Sequence, residues 1–125
     1  MRVVDSSAWI EWLKKSPAGR VVDAELPENA NWLVPTIVQF ELAKWATREL
    51  GPEEAEEVLA YSKVRRVIPL ESNLALYAAE FSVKHKLAMA DAIVYATAQQ
   101  YDADVLTCDA HFETLPGVKF IDKRP

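Results

Sequence analysis

Short apolar runs alternate with longer amphipathic segments along the whole chain. The runs are rich in Val, Ile and Leu, as strands buried on both faces are, and the segments between them follow the period of helices. Five runs are predicted as strands: Arg2–Val4, Trp32–Pro35, Val67–Ile68, ADVLTCD (103–109) and VKFID (118–122). Because no tight hairpin signal joins them, the pattern predicts βαβ units. We therefore expect an α/β fold, a three-layer α/β/α domain with a mainly parallel central sheet.

Residues that begin or end helices separate the predicted strands. Thr36 is predicted as the N-cap of a helix over 37–50, and Gly51 ends that helix. Pro52 suits the first position of the next helix, whose early glutamates favour the positive end of the helix dipole. Further helices are predicted from Ser6 to about 16, through 21–26, from Ser72 onward and over 86–102.

The composition is that of one globular domain, and we assign the whole chain, 1–125, to it. Half of the residues are apolar, which is enough for an independent core. The single cysteine, Cys108, cannot form an internal disulfide, so a reducing cytoplasm is expected. No apolar run approaches the roughly 20 residues of a transmembrane helix. Asp5 and Glu11 also interrupt any signal peptide, so no membrane association is expected.

Several classes of protein are excluded by what the sequence contains. A net charge of −5 argues against a general nucleic-acid binder, but it allows an enzyme that meets nucleic acid through metal ions. Three glycines are too few for the Gly-rich turns of dinucleotide-binding and P-loop proteins. Ser7 stands where an aspartyl-nucleophile phosphatase would usually carry a second Asp. His85, His111 and Cys108 lack the spacing of zinc ligands.

Four of the 19 acidic residues lie in largely apolar surroundings: Asp5, Glu41, Asp91 and Asp109. Asp5 and Asp109 follow predicted strands and could cap the next segment, and Asp91 could complement a helix dipole. Glu41 lies too far from Thr36 to close a capping box, which needs an acid three residues on. A buried carboxylate without a partner is also unfavourable, so Glu41 needs another explanation.

A shared metal site would account for all four acids. Asp5 and Asp109 come at the carboxyl ends of strands, and Glu41 and Asp91 lie early in helices that should begin at the same edge. Carboxylates about 4 Å apart repel by about 4 kcal/mol per pair at an effective dielectric constant of 20. A divalent cation removes that repulsion, and oxygen ligands suit Mg²⁺ or Mn²⁺. Two such ions can assist displacement at a phosphodiester.

The order of VVDSSAWIEWL, VPTIVQFELAKWA and KLAMADAIVYATAQQYDADVLTCDAHFETLPGVKFI resembles the PIN-domain family over essentially the full chain. It is most similar to the small ribonuclease toxins of the VapC type. The resemblance implies an endoribonuclease that hydrolyses RNA with Mg²⁺ or Mn²⁺. It also implies a homodimer and a cognate antitoxin protein. The catalytic and metal-binding acids that it implies are Asp5, Glu41, Asp91 and Asp109, with the hydroxyls of Ser6 and Thr107 beside the metal.

A second hypothesis is a non-catalytic PIN-like or receiver-like module that binds a cation for structure or signalling. One departure from the family is Cys108, where relatives often carry a basic or polar residue. Because thiolates prefer softer metals, we expect Cys108 to be neither catalytic nor a metal ligand.

Scattered bases and aromatic residues each allow two interpretations. The bases form either a phosphate track beside the acids or ordinary solvated helix ends. These bases are Lys14, Lys15, Arg65, Arg66, Lys84 and Lys86. The four tryptophans, Trp9, Trp12, Trp32 and Trp45, belong either to the core or to a protein interface.

Overall fold

The computed structural model describes residues 1–124. The strands are β1 (Arg2–Val4), β2 (Trp32–Pro35), β3 (Arg66–Ile68), β4 (Asp104–Thr107) and β5 (Val118–Phe120). The helices are α1 (Ser6–Lys14), α2 (Pro17–Glu25), α3 (Thr36–Leu50), α4 (Pro52–Lys63), α5 (Ser72–His85) and α6 (Met89–Gln100). Short 3-10 turns span Asn29–Asn31 and Ala110–Phe112. Each predicted strand and helix is therefore present.

The five strands form one sheet in the order β3-β2-β1-β4-β5. Every pairing within residues 1–124 is parallel, so the predicted three-layer fold is confirmed. The chain builds outward from β1 to β3 and then returns to add β4 on the other side of β1. The connections that follow β1 and β4 diverge at this reversal, which leaves a crevice at the carboxyl edge of the sheet.

The core is built from the strands and from the helix faces turned toward them. β2 is buried along its whole length, as expected for an inner strand of a parallel sheet. Trp9 of α1 packs on Trp32 of β2 with ring centroids 4.8 Å apart, and both are buried. Trp12 and Trp45 are only half-buried, so the tryptophans divide between core and surface. In the described residues, no helix combines the length and the apolar character that a bilayer span requires.

The prediction of Thr36 as an N-cap was wrong, since Thr36 is the first residue of α3 and Pro35 precedes it as the cap. β2 runs directly into α3, so the cap position falls on the last residue of the strand. The Thr36 hydroxyl instead accepts a hydrogen bond from the Leu70 backbone N–H at 3.2 Å. The predicted end of α3 is correct, because Gly51 follows it with a φ of 91°.

Candidate metal centre

Asp5 follows β1 directly and is 3% exposed. Its Oδ2 accepts hydrogen bonds from Ser7 Oγ at 2.7 Å and from Thr107 Oγ1 at 2.9 Å. The two hydroxyls in turn accept from the backbone N–H groups of Cys108 and Asp109, at 3.0 and 2.9 Å. Each hydroxyl has one proton, which it gives to Asp5. The network therefore fixes this carboxylate between the ends of β1 and β4.

Glu41 approaches the same edge from α3. Ser6 Oγ donates a hydrogen bond to Glu41 Oε1 at 2.8 Å. Ser6 is the first residue of α1 and the neighbour of Asp5 in the chain. The turn from β1 into α1 thus positions two of the predicted acids. Asp5 is part of the turn, and Glu41 accepts a hydrogen bond from the Ser6 hydroxyl.

Asp91 and Asp109 meet at a third residue, His111. The ring Nδ1 lies 3.3 Å from Asp91 Oδ2 and 3.2 Å from Asp109 Oδ1. One potential ligand atom from each of these residues lies within 4.8 Å of the other two. Asp5 and Glu41 do not join this closest group, although the charge of Asp5 helps to raise the pKa of Asp91. The expected cluster of four acids is therefore, in its tightest part, two carboxylates and an imidazole.

The charges of the four acids interact, and burial strengthens the effect. Burial, together with the negative charges of Asp109 and Asp5, raises the pKa of Asp91 to about 6, although His111 acts in the opposite direction. Burial is also the main cause that raises the pKa of Asp5 and of Glu41. For both, the charge of Asp109 adds to the rise, whereas hydroxyl hydrogen bonds oppose it. Without a cation, the ionised site is therefore electrostatically unfavourable.

The donor set fits a divalent cation. Carboxylate oxygens converge from β1, α3, α6 and the turn after β4, and their mutual repulsion is what a bound cation relieves. Three hydroxyls donate hydrogen bonds to two of these carboxylates: Ser6 to Glu41, and Ser7 and Thr107 to Asp5. Such hydrogen bonds from outside the ligand shell orient metal ligands in proteins.

The structure also shows which of the acids cap a helix or complement a helix dipole, the simpler roles that the sequence allowed. The Asp5 side chain does not cap α1, although Asp5 occupies the cap position. Asp109 does act as a cap, because its Oδ1 accepts a hydrogen bond from the His111 backbone N–H at 2.9 Å. Asp91 lies in the first turn of α6, where it also complements the helix dipole.

Two contributors were missed from the sequence. Ser7 was not predicted beside the site, yet it is one of the two hydroxyls on Asp5. His111 was set aside because it lacks the sequence spacing of zinc ligands. Its position two residues after Asp109, in a short turn, is the signal that indicates a shared site.

Cys108 is buried between these residues, with 2% exposed. Burial, together with the charges of Glu11 and Asp5, raises the pKa of its thiol to about 11, although Lys123 acts in the opposite direction. The neutral thiol is a poor nucleophile and a poor ligand. The expectation that Cys108 has no chemical role agrees with this environment and stays a prediction.

The scattered bases have different surroundings. Arg65 stacks on Tyr61, with its guanidinium carbon 3.9 Å from the ring centroid. Arg66 lies over the ring of Tyr101 at 5.1 Å. Lys86 lines a surface pocket of about 230 Å³ together with His85, Leu87, Ala88, Asp91 and His111. Of these six bases, Lys86 is thus the one that lines a pocket together with Asp91 and His111.

The comparison with curated proteins found no match. Solved structures match the fold over nearly the full length of both chains. A toxin–antitoxin complex from Klebsiella pneumoniae is 18% identical, covering 99% of this chain and 100% of that chain with a TM-score of 0.83. VapC20 of Mycobacterium tuberculosis, described as a toxin that cleaves the sarcin-ricin loop, is 21% identical, covering all of both chains with a TM-score of 0.76.

A third structure, FitAcB from Neisseria gonorrhoeae, is 21% identical over 96% of both chains, with a TM-score of 0.70. At these identities the likeness shows a shared fold. The sequence itself matches the family model of the PIN domain over residues 2–118. That model spans β1 through the first residue of β5 and includes all four predicted acids. The chain belongs to the PIN-domain family.

Proposed function

We propose that this protein is an endoribonuclease that hydrolyses RNA phosphodiester bonds with Mg²⁺ or Mn²⁺. The observation that carries the proposal is the convergence of four acids at the switch point of the sheet, where burial and mutual repulsion raise the pKa of Asp5, Glu41 and Asp91. Because the ionised carboxylates of this site repel each other, the site favours binding of a cation. The positive charge of the cation then attracts a phosphate.

The proposed roles follow from the contacts of each residue. The cations would be held by four carboxylates. Two of them, Asp91 and Asp109, belong to the tightest cluster of potential ligand atoms, and the others are Asp5 and Glu41. When bound, these ions stabilise the negative charge that develops on the phosphate and polarise the attacking water. Thr107 would hold the Asp5 carboxylate in place by its hydrogen bond. No side chain has to act as the nucleophile.

Lys86 supports RNA as the substrate, because it brings a positive charge to the rim of an acidic site. A polyanion would otherwise be repelled by a chain with a net charge of −5. We therefore place the flanking phosphates of the RNA along the pocket that Lys86 lines. The fold of an RNA-cleaving toxin, VapC20, supports the same substrate class.

We further propose that the protein is the toxin of a toxin–antitoxin pair in the cytoplasm. The fold shared with known toxin–antitoxin complexes supports an antitoxin partner. A surface groove of about 570 Å³ between α1 and α4 fits such a partner, since its apolar floor includes Trp12 and Tyr61 and its rim carries Glu53, Glu54 and Glu57. An amphipathic, basic segment of the antitoxin would match both properties.

The test is cleavage of labelled RNA by the pure protein in Mg²⁺ or Mn²⁺, compared with EDTA and with Asp91→Asn. We expect cleavage that EDTA abolishes and that Asp91→Asn lowers by at least about 100-fold, since the substitution removes a charged ligand. Glu56→Gln, at an exposed position of α4, is the matched control and should retain activity. Loss of activity in both variants, or cleavage that survives EDTA, would contradict the proposal.

Metal binding gives a second readout. Mn²⁺ at 100 times its dissociation constant should raise the free energy of unfolding by about 2.7 kcal/mol if it binds only the folded state. Asp91→Asn should respond less than the wild type to the same concentration. Equal responses would show that Mn²⁺ binds elsewhere.

A further inference from the structure

His111 is held against the acids by its own backbone and by the residue that follows it. Its N–H donates to Asp109 Oδ1 at 2.9 Å, and the next residue, Phe112, is completely buried. The imidazole itself is 74% exposed. The ring therefore owes its position to the turn after β4 and not to packing around the side chain.

The position of the ring nitrogen matches that of a metal ligand. Ligand atoms about 2.1 Å from an ion and at right angles to each other lie about 3 Å apart. His111 Nδ1 is 3.3 Å from Asp91 Oδ2 and 3.2 Å from Asp109 Oδ1. The two distances from the ring nitrogen are thus close to those between neighbouring ligands on one ion, and one ligand atom from each of the three residues lies within 4.8 Å of the others.

We propose that His111 Nδ1 is a direct ligand of the cation held by Asp91 and Asp109, and that it makes this site prefer a transition-metal ion over Mg²⁺. This inference rests on the proposed metal-dependent function. Mg²⁺ selects oxygen ligands and keeps several waters, whereas imidazole suits transition metals such as Fe²⁺, Ni²⁺ and Zn²⁺. One nitrogen among carboxylate oxygens therefore shifts the selectivity without changing the charge of the acids.

The test uses the two histidines of the chain. His111→Gln removes the proposed nitrogen, and His85→Gln is the matched control. His85 lines the same pocket as His111 but stacks on Phe81, with ring centroids 5.9 Å apart. Electron spin echo envelope modulation of the Mn²⁺-loaded protein detects a nitrogen bound directly to the ion. Calorimetric titration of each variant with Ni²⁺ and with Mg²⁺ measures the selectivity.

We expect nitrogen modulation in the wild type and in His85→Gln, and none in His111→Gln. The Ni²⁺ affinity of His111→Gln should fall by about tenfold or more, because the loss of a residue that only supports a metal ligand already costs about 10–100-fold in affinity, while its Mg²⁺ affinity should change little. Unchanged circular dichroism would show that the variant folds, which the exposure of the ring favours.

The outcomes separate this inference from the proposed function. Mn²⁺ binding that depends on Asp91 but shows no nitrogen signal would overturn the role of His111 and leave the nuclease proposal intact. A nitrogen signal that persists in His111→Gln would also overturn it. No binding of Mn²⁺ or Mg²⁺ at all would overturn both.

Discussion

At the scale of single residues, the carboxylate of Asp5 is the most constrained group of the site. It is almost fully buried, and two hydroxyls give their only protons to one of its oxygens. Removing one hydroxyl leaves a buried acceptor with less hydrogen bonding in a low-dielectric environment, which is unfavourable. The hydroxyls therefore contribute to stability as well as to the direction of the carboxylate.

Thr107→Val tests this contribution. We expect the variant to lose about 1–3 kcal/mol of unfolding free energy, because both Asp5 Oδ2 and the Asp109 N–H lose a partner. Thr97→Val is the matched control, since Thr97 is equally buried but donates only to the Ile93 carbonyl within α6. Urea denaturation of both variants measures the difference. A loss in Thr97→Val as large as in Thr107→Val would contradict the role of this network.

The charge of Asp91 should make the metal-free protein less stable as the pH rises. Its folded-state pKa is about 6, above the ordinary value of 3.8, so its contribution to stability is complete below pH 4 and is lost through pH 6. Asp91→Asn lacks this dependence. In EDTA, the variant should therefore gain stability relative to wild type between pH 4 and pH 8, by on the order of 3 kcal/mol.

Urea denaturation at several pH values measures this gain. Asp102→Asn, at an exposed position after α6, is the control and should follow the wild type. A stability difference between wild type and Asp91→Asn that stays constant with pH would show that folding does not raise the pKa of the Asp91 carboxyl.

The sequence indicated the acids but not their partners, and the reason is physical. A charge in an apolar stretch is conspicuous, because burial of an unpaired carboxylate is unfavourable, and this property singled out Glu41 and Asp91. An exposed histidine such as His111 gives no such signal of unfavourable burial, and only its position two residues after Asp109 relates it to the site. Ser6 and Thr107 were expected at the site, but the sequence does not show that Ser6 serves Glu41 whereas Ser7 serves Asp5.

At the scale of elements, the boundaries were predictable where local chemistry sets them. Pro52 begins α4, and Gly51 separates it from α3. The apolar run at Arg2–Val4 predicted the bounds of β1 correctly. The strand order was not predictable in this way, because the position of β4 beside β1 depends on the packing of α5 and α6, which intervene in the chain. Long-range pairing of this kind leaves no local signal.

The crossing of α1 and α2 depends on Gly19. A Cβ at this position would lie 2.0 Å from the backbone oxygen of Glu11, which cannot move without shifting α1. We expect Gly19→Ala to lose about 1–3 kcal/mol of unfolding free energy, as overpacked interiors do. Arg20→Ala, at the adjacent exposed position, should stay within about 0.5 kcal/mol of wild type. Equal thermal midpoints for both variants would show that the two helices separate easily.

At the scale of the whole molecule, an apolar stripe on α5 remains uncovered. Leu76 and Val83 are 69% and 83% exposed, and Ala79 lies between them at helical spacing on the same face. Ala79 also borders an apolar groove of about 350 Å³ that includes Met89 of α6. An exposed patch of this kind favours association, and the homodimer that the resemblance implies would cover it by pairing the stripe with its copy across a two-fold axis.

Val83→Glu tests the α5 stripe as the dimer interface. The two-fold axis would bring two introduced carboxylates close together, so we expect the variant to be monomeric while the wild type is a dimer. Val64→Glu is the matched control, because Val64 follows α4 and is 65% exposed. Size-exclusion chromatography with light scattering measures the mass, and circular dichroism checks the fold. A dimeric Val83→Glu variant would show that the interface lies elsewhere. A monomeric wild type would show that the proposed nuclease site works in a single copy.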